Sequence, residues 1–130
     1  MTAGAQARNA SGVVISGRCR DIAEHRAANF PVFARSQSTL GQSSFTRPCA
    51  VNVPLVITGD PGDELVLPAV HVLPGDWIIA DEDGVVCVPK TLEDSVVELA
   101  AKGKQVDVLC MEDIKAGKGV QASFKKYRGK

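Results

Sequence analysis

At 130 residues, 45% hydrophobic and 23% charged, the chain is sized and composed for one soluble globular domain, residues 1–130, with a core of its own. Fifteen basic and fifteen acidic residues cancel. That excludes the broad basic footprint of a nucleic-acid binder and favours a defined oligomer over a dispersed monomer. No basic start leads into an apolar stretch, and no apolar run reaches spanning length, so we expect no leader, no membrane segment and a cytoplasmic protein.

In chain order, residues 2–11 have the spacing of the last turns of a helix that Gly12 ends, and Val13-Val14-Ile15 reads as a short buried strand. Gly17-Arg18-Cys19-Arg20-Asp21 occupies the strand-to-helix loop, with Asp21 as N-cap of a helix over Ile22–Ala28. Pro31–Ala34 predicts the next strand, and the polar, aperiodic residues 36–47 a surface loop. Ala50–Ile57 is strand-like, with Pro54 at an edge or bulge, and residues 59–64 are rich in turn formers.

From Leu65 to Pro89 the strand signal is densest. Val70–Leu73 leads to a Pro74-Gly75-Asp76 turn, and Trp77–Ala80 and Val85–Val88 flank Asp83-Gly84, which predicts a type I′ hairpin. Asp81-Glu82-Asp83-Gly84 is no calcium loop, because its glycine comes too early and apolar residues follow. Thr91 with Asp94 has the pattern of a helix start. Leu92, Val96, Leu99, Val106 and Cys110 then recur at helical spacing, and Gly103 on that stripe marks close packing or a break. The basic end from Phe124 to Lys130 reads as a frayed, solvated tail. Cys19, Cys49, Cys87 and Cys110 form no CxxC pair, which predicts reduced, mostly buried thiols rather than a zinc site. His25 and His71 stand alone, as surface or packing residues.

An Arg-Asp dipeptide by itself carries no functional signal. Its setting does. Gly12–Asp21 followed by Pro31-Val32-Phe33-Ala34-Arg35, and then Pro74–Pro89, resemble in order and spacing the "GxxxxGxxRD", "PVFA" and "PGDxxxxDxDGVxxxP" blocks of RraA-like proteins. That family comprises 4-hydroxy-4-methyl-2-oxoglutarate aldolases and regulators of ribonuclease E activity. The chain departs from it in the longer segment around Gly59–Glu64 and in Ser16, where many members have Asp.

The resemblance implies an α/β fold, a swivelling-domain-like α/β/α sandwich, here N-terminally truncated because the likeness covers the later part of the family domain. It implies a homo-oligomer, trimer or hexamer. It also implies a lyase (aldolase or oxaloacetate decarboxylase) that cleaves a carbon–carbon bond in a small 2-oxo acid with a divalent metal, Mg²⁺ or Mn²⁺. In the family pattern Asp21 is the direct metal ligand, and Arg20 the catalytic, substrate-binding residue that contacts the carboxylate and keto end. The family's further acidic residue and its glycine-rich loop fall upstream of Met1. The alternative from the same family is a non-catalytic regulatory protein that acts by binding another protein.

Overall fold

The computed structural model describes residues 1–59 and 68–129, and it mixes helices with strands. The stretch expected to carry the turn-rich segment and the start of the next strand lies, from residue 60 to 67, outside the described residues. Two compact units result, Met1–Cys87 and Val88–Lys130.

The first unit begins with α1 (Thr2–Gln6) and a βαβ element made of β1 (Val13–Cys19), α2 (Ile22–Ala27) and β2 (Val32–Gln37). The strands pair in parallel, Val13 opposite Val32 and Cys19 opposite Gln37, with an irregularity between Ile15 and Arg18. Parallel neighbours need a crossover, and α2 with its flanks supplies it. Gly12 lets the strands approach closely where they first meet: a Cβ there would stand a tight 3.1 Å from the Pro31 carbonyl oxygen, to which Val13 N–H donates at 3.0 Å. Asn29, at φ 47°, ends α2 in a left-handed cap. Its N–H donates to the Arg26 carbonyl and that of Phe30 to the His25 carbonyl, the two bonds of a Schellman motif. Phe30 is buried beneath that cap. The first strand runs four residues past Ile15, and its Val13 and Val14 are exposed where burial was expected.

β3 (Leu55–Ile57) and β4 (Val70–Val72) pair antiparallel, Leu55 opposite Val72. The strand expected from Ala50 is confined to its last three residues, because Asn52 takes φ 58° and Pro54 has no N–H to give to a ladder. β5 (Trp77–Asp81) and β6 (Gly84–Val88) form a hairpin. The turn before it is of type II: Asp76 N–H donates to the Leu73 carbonyl at 3.1 Å, and Gly75 takes the positive φ, 96°, that this turn demands. Asp76 closes it by accepting from Leu73 N–H at 2.8 Å.

The hairpin turn lies at Glu82-Asp83, one residue earlier than expected, and it is not type I′. Neither residue has positive φ; Gly84, at 150°, does, and Asp81 Oδ1 accepts from Asp83 N–H at 2.9 Å. The Asx turn supplies the reversal that two positive-φ residues would otherwise make. Trp77, Ile78 and Ile79 are all exposed, although successive strand residues point to opposite faces.

In the second unit a 3-10 turn (Lys90–Leu92) leads into α3 (Glu93–Lys115), and α4 (Val120–Arg128) folds back on it. No side-chain cap starts α3; a Lys90–Glu93 ion pair spans the entry instead of the expected Thr91 cap. The helices are joined by another Schellman motif, with Gly117 at φ 78° and Lys118 N–H donating to the Asp113 carbonyl at 3.1 Å. The basic end is therefore a packed helix rather than a frayed tail. Ser123 lies buried against α3, its carbonyl oxygen 3.9 Å from Cys110 Sγ. Asp113, nearly buried, accepts from Lys118 Nζ at 2.6 Å and Lys126 Nζ at 3.1 Å, while Arg128 Nη2 donates to Asp107 at 2.5 Å. Of the expected apolar stripe only Cys110 is buried; Val96 and Leu99 are exposed. The thiols are free, but only Cys110 is buried; Cys49 is exposed, and Cys19 and Cys87 lie between. No described helix is long and apolar enough to cross a membrane.

Two stability predictions arise here. Gly103 sits inside an unbroken helix with open space around its Cβ position. Gly103→Ala should stabilise the chain by about 0.5–1 kcal/mol, read as a higher urea midpoint; a lower midpoint would show that another surface packs there. The second concerns Asp113, whose carboxyl is held below its ordinary value first by the Lys118 hydrogen bond and then by Lys126, against an opposing effect of burial. A carboxyl depressed on folding adds stability above its unfolded pKa and loses it as the pH falls through the folded one. Wild type should therefore exceed Asp113→Asn in thermal midpoint at neutral pH, with the gap closing in acid. A gap independent of pH would refute the ion-pair account.

Candidate functional site

Arg20 and Asp21 fill the loop between β1 and α2, at the carboxyl end of a parallel strand, where open α/β sheets place ligands. Their side chains pair, Arg20 Nε to Asp21 Oδ2 at 3.4 Å, and both are about half exposed, 49% and 53%. At such exposure the pair adds little stability of its own.

Asp21 does not do what a helix N-cap does. Its backbone is left-handed, φ 63° and ψ 36°, and its side chain makes no capping bond. Its carbonyl still accepts from Glu24 and His25 N–H at 3.0 and 3.1 Å, so α2 starts there without the carboxylate. A left-handed L-residue costs roughly 1–2 kcal/mol, less for Asp than for bulkier side chains. The carboxylate is thereby turned away from the helix and toward Arg20.

The polar segment after β2 passes beside this pair. Ser38 N–H donates to the Cys19 carbonyl at 2.8 Å, and a Cβ on Gly41 would stand 3.6 Å from Arg20 Nη1. Within residues 36–47, largely exposed loop as expected, Gly41 thus lies against the guanidinium, a neighbour that was not legible in the sequence. Arg35 donates to Ser16 Oγ at 3.1 Å and to the Thr58 carbonyl, tying β2 to β1 and to the residue just past the end of β3. His25 was expected to be a surface or packing residue. Its ring instead bonds the Arg20 carbonyl oxygen at 2.8 Å and Thr2 Oγ1 at 2.7 Å. Helical spacing from Asp21 is the one sequence signal that would have pointed to it. His71 is exposed on β4.

An open depression of about 580 Å³ is lined by α2 and β2, including His25, Arg26, Phe30, Phe33 and Arg35, and it includes neither Arg20 nor Asp21. The candidate chemistry sits on the adjoining loop, whose flanking residues Cys19 and Ile22 are part of that lining. Among the described residues no group of three or more His, Cys, Asp or Glu side chains could hold a metal. The donor set is one exposed carboxylate, which suits a largely hydrated hard cation such as Mg²⁺ and not a zinc-type cage. Cys87 stands apart, its thiol raised by burial and by the carboxylate of Asp76.

The sequence profile of the RraA-like family, described as Aldolase/RraA, matches residues 1–87. A Halalkalibacterium halodurans protein provisionally named 4-hydroxy-4-methyl-2-oxoglutarate aldolase is 38% identical over 97 residues, which are 75% of this chain and 40% of that protein. The crystal structure of an uncharacterized protein from Pseudomonas syringae pv. tomato superposes with a TM-score of 0.80 at 32% identity, covering 95% of this chain and 56% of that one. The chain thus spans about half the length of its relatives, or less.

Proposed function

The chain belongs to the RraA-like family, and from that premise we propose that it acts as a divalent-metal-dependent carbon–carbon lyase on a small 2-oxo acid. The observation that carries the reading is the left-handed Asp21, whose carboxylate is set beside the Arg20 guanidinium instead of capping α2. The aldolase name of the Halalkalibacterium relative supports the reaction class. The α/β/α sandwich of the family is the arrangement we propose for these strand pairs.

Arg20 binds and orients. A guanidinium grips a carboxylate through two parallel N–H···O bonds and offsets its charge. Nε already faces Asp21, which leaves the Nη edge beside Gly41 for the substrate. The bond β to the keto group breaks, its electron pair runs toward the keto oxygen, and the pyruvate enolate is then protonated at carbon. With 4-hydroxy-4-methyl-2-oxoglutarate the C4 hydroxyl gives its proton to water as its oxygen becomes the keto group of the second pyruvate, so the products are two pyruvates. With oxaloacetate the leaving carboxylate becomes carbon dioxide and the other product is pyruvate. Asp21 is the residue that would hold the cation. A divalent cation held there, Mg²⁺ or Mn²⁺, would supply Lewis acidity to the keto oxygen.

The test is turnover of oxaloacetate and of 4-hydroxy-4-methyl-2-oxoglutarate with Mg²⁺ and with EDTA. Metal-dependent pyruvate release supports the lyase; none from either substrate favours the family's regulatory, protein-binding role. We also propose a homo-oligomer, for which the exposed Trp77, Ile78 and Ile79 supply apolar surface. Light scattering should give a trimer or hexamer, and a monomer across micromolar concentrations would end that proposal.

A further inference from the structure

We propose that His25 is a positioning residue for the Arg20–Asp21 loop, acting through its hydrogen bond to the Arg20 carbonyl. The inference rests on the proposed function of that loop, but its geometry stands separately. The carbonyl oxygen has only lone pairs, so the ring nitrogen 2.8 Å from it, Nε2, carries the proton. In the neutral ring Nδ1 then accepts, and the Thr2 hydroxyl 2.7 Å away donates. Thr2 is buried, which makes it a fixed anchor.

The bond matters because of which peptide it holds. The torsion φ of Asp21 relates the Arg20–Asp21 peptide plane to the Asp21 Cα and hence to its side chain. His25 clamps the carbonyl of that plane, while the Glu24 and His25 backbone N–H groups hold the Asp21 carbonyl on the other side. With both flanking carbonyls held, the left-handed conformation persists and the carboxylate stays beside the guanidinium. Groups that orient a ligand in this way typically change affinity or activity by about 10–100-fold when removed.

The experiment compares His25→Gln, His25→Asn and Thr2→Val with wild type and Asp21→Ala in Mn²⁺ affinity, kcat/KM on oxaloacetate and the NMR signature of Asp21. A glutamine amide reaches the position of Nε2 and can restore the donor to Arg20; an asparagine amide reaches only the position of Nδ1. His25→Asn should therefore weaken Mn²⁺ binding and kcat/KM about 10–100-fold and lose the strong intraresidue HN–Hα contact of a left-handed Asp21. His25→Gln should recover most of both, and Thr2→Val should fall between. Equal losses in Asn and Gln would overturn the proposal, since filling space would then be the whole role; so would wild-type behaviour in His25→Asn. If Asp21→Ala leaves Mn²⁺ affinity and turnover unchanged, the lyase reading fails instead. The NMR signature then decides the positioning role alone: its retention in His25→Asn would overturn it.

Discussion

Arg20→Ala is expected to lower oxaloacetate turnover by about 10²–10³-fold, the usual effect of removing one preorganised donor at a developing negative charge. The geometry sharpens the expectation. Nε of Arg20 faces Asp21 at 3.4 Å, so in the proposed site one side chain would both steady the Asp21 carboxylate and hold the substrate through its Nη edge. Arg20→Lys should recover little, because an ammonium is a point donor and cannot hold a neighbour and a carboxylate in one plane. Steady-state kinetics check this, with loss in kcat as well as in kcat/KM if the contact tightens as charge builds. Full activity in Arg20→Ala would show that the guanidinium plays no part in the chemistry.

Asp21 should separate stability from function. Asp21→Asn tolerates the left-handed backbone and keeps an oxygen, yet it loses the charge that a hard cation requires. Mn²⁺ binding should weaken on the order of tenfold or more, with little change in thermal midpoint. Asp21→Gly should abolish binding while raising stability by up to about 1 kcal/mol, because glycine adopts φ 63° without a Cβ clash. Opposite movements of stability and metal affinity in one variant are what a strained functional residue produces. If Asp21→Gly destabilised the chain, the carboxylate would be serving the fold, and titration calorimetry beside thermal melts would show it.

How much was legible depends on the range of the interactions. The helix at Ile22–Ala27, the Leu73–Asp76 turn and the long helix after Pro89 follow from local chemistry, since glycine, proline and helical periodicity act within a few residues. The Arg20–Asp21 pair was found through the order of its surrounding motifs, because two charged neighbours carry no signal alone. The dipeptide told nothing of the backbone at Asp21, since a capping aspartate and a left-handed one are the same letter.

What the sequence determined by itself was the family, through the order and spacing of two motif blocks, and the alternation of strands with helices, through hydrophobic period. Tertiary structure alone decided the rest. Thr2 and His25 are 23 residues apart, and Gly41 reaches Arg20 only because β2 runs parallel to β1 and returns the chain to the same end of the pair. The basic C-terminal end reads as a solvated tail until Asp113 and Asp107 on the preceding helix take Lys126 and Arg128 as counter-ions. Such contacts depend on where the backbone brings distant residues together, and no local pattern encodes that.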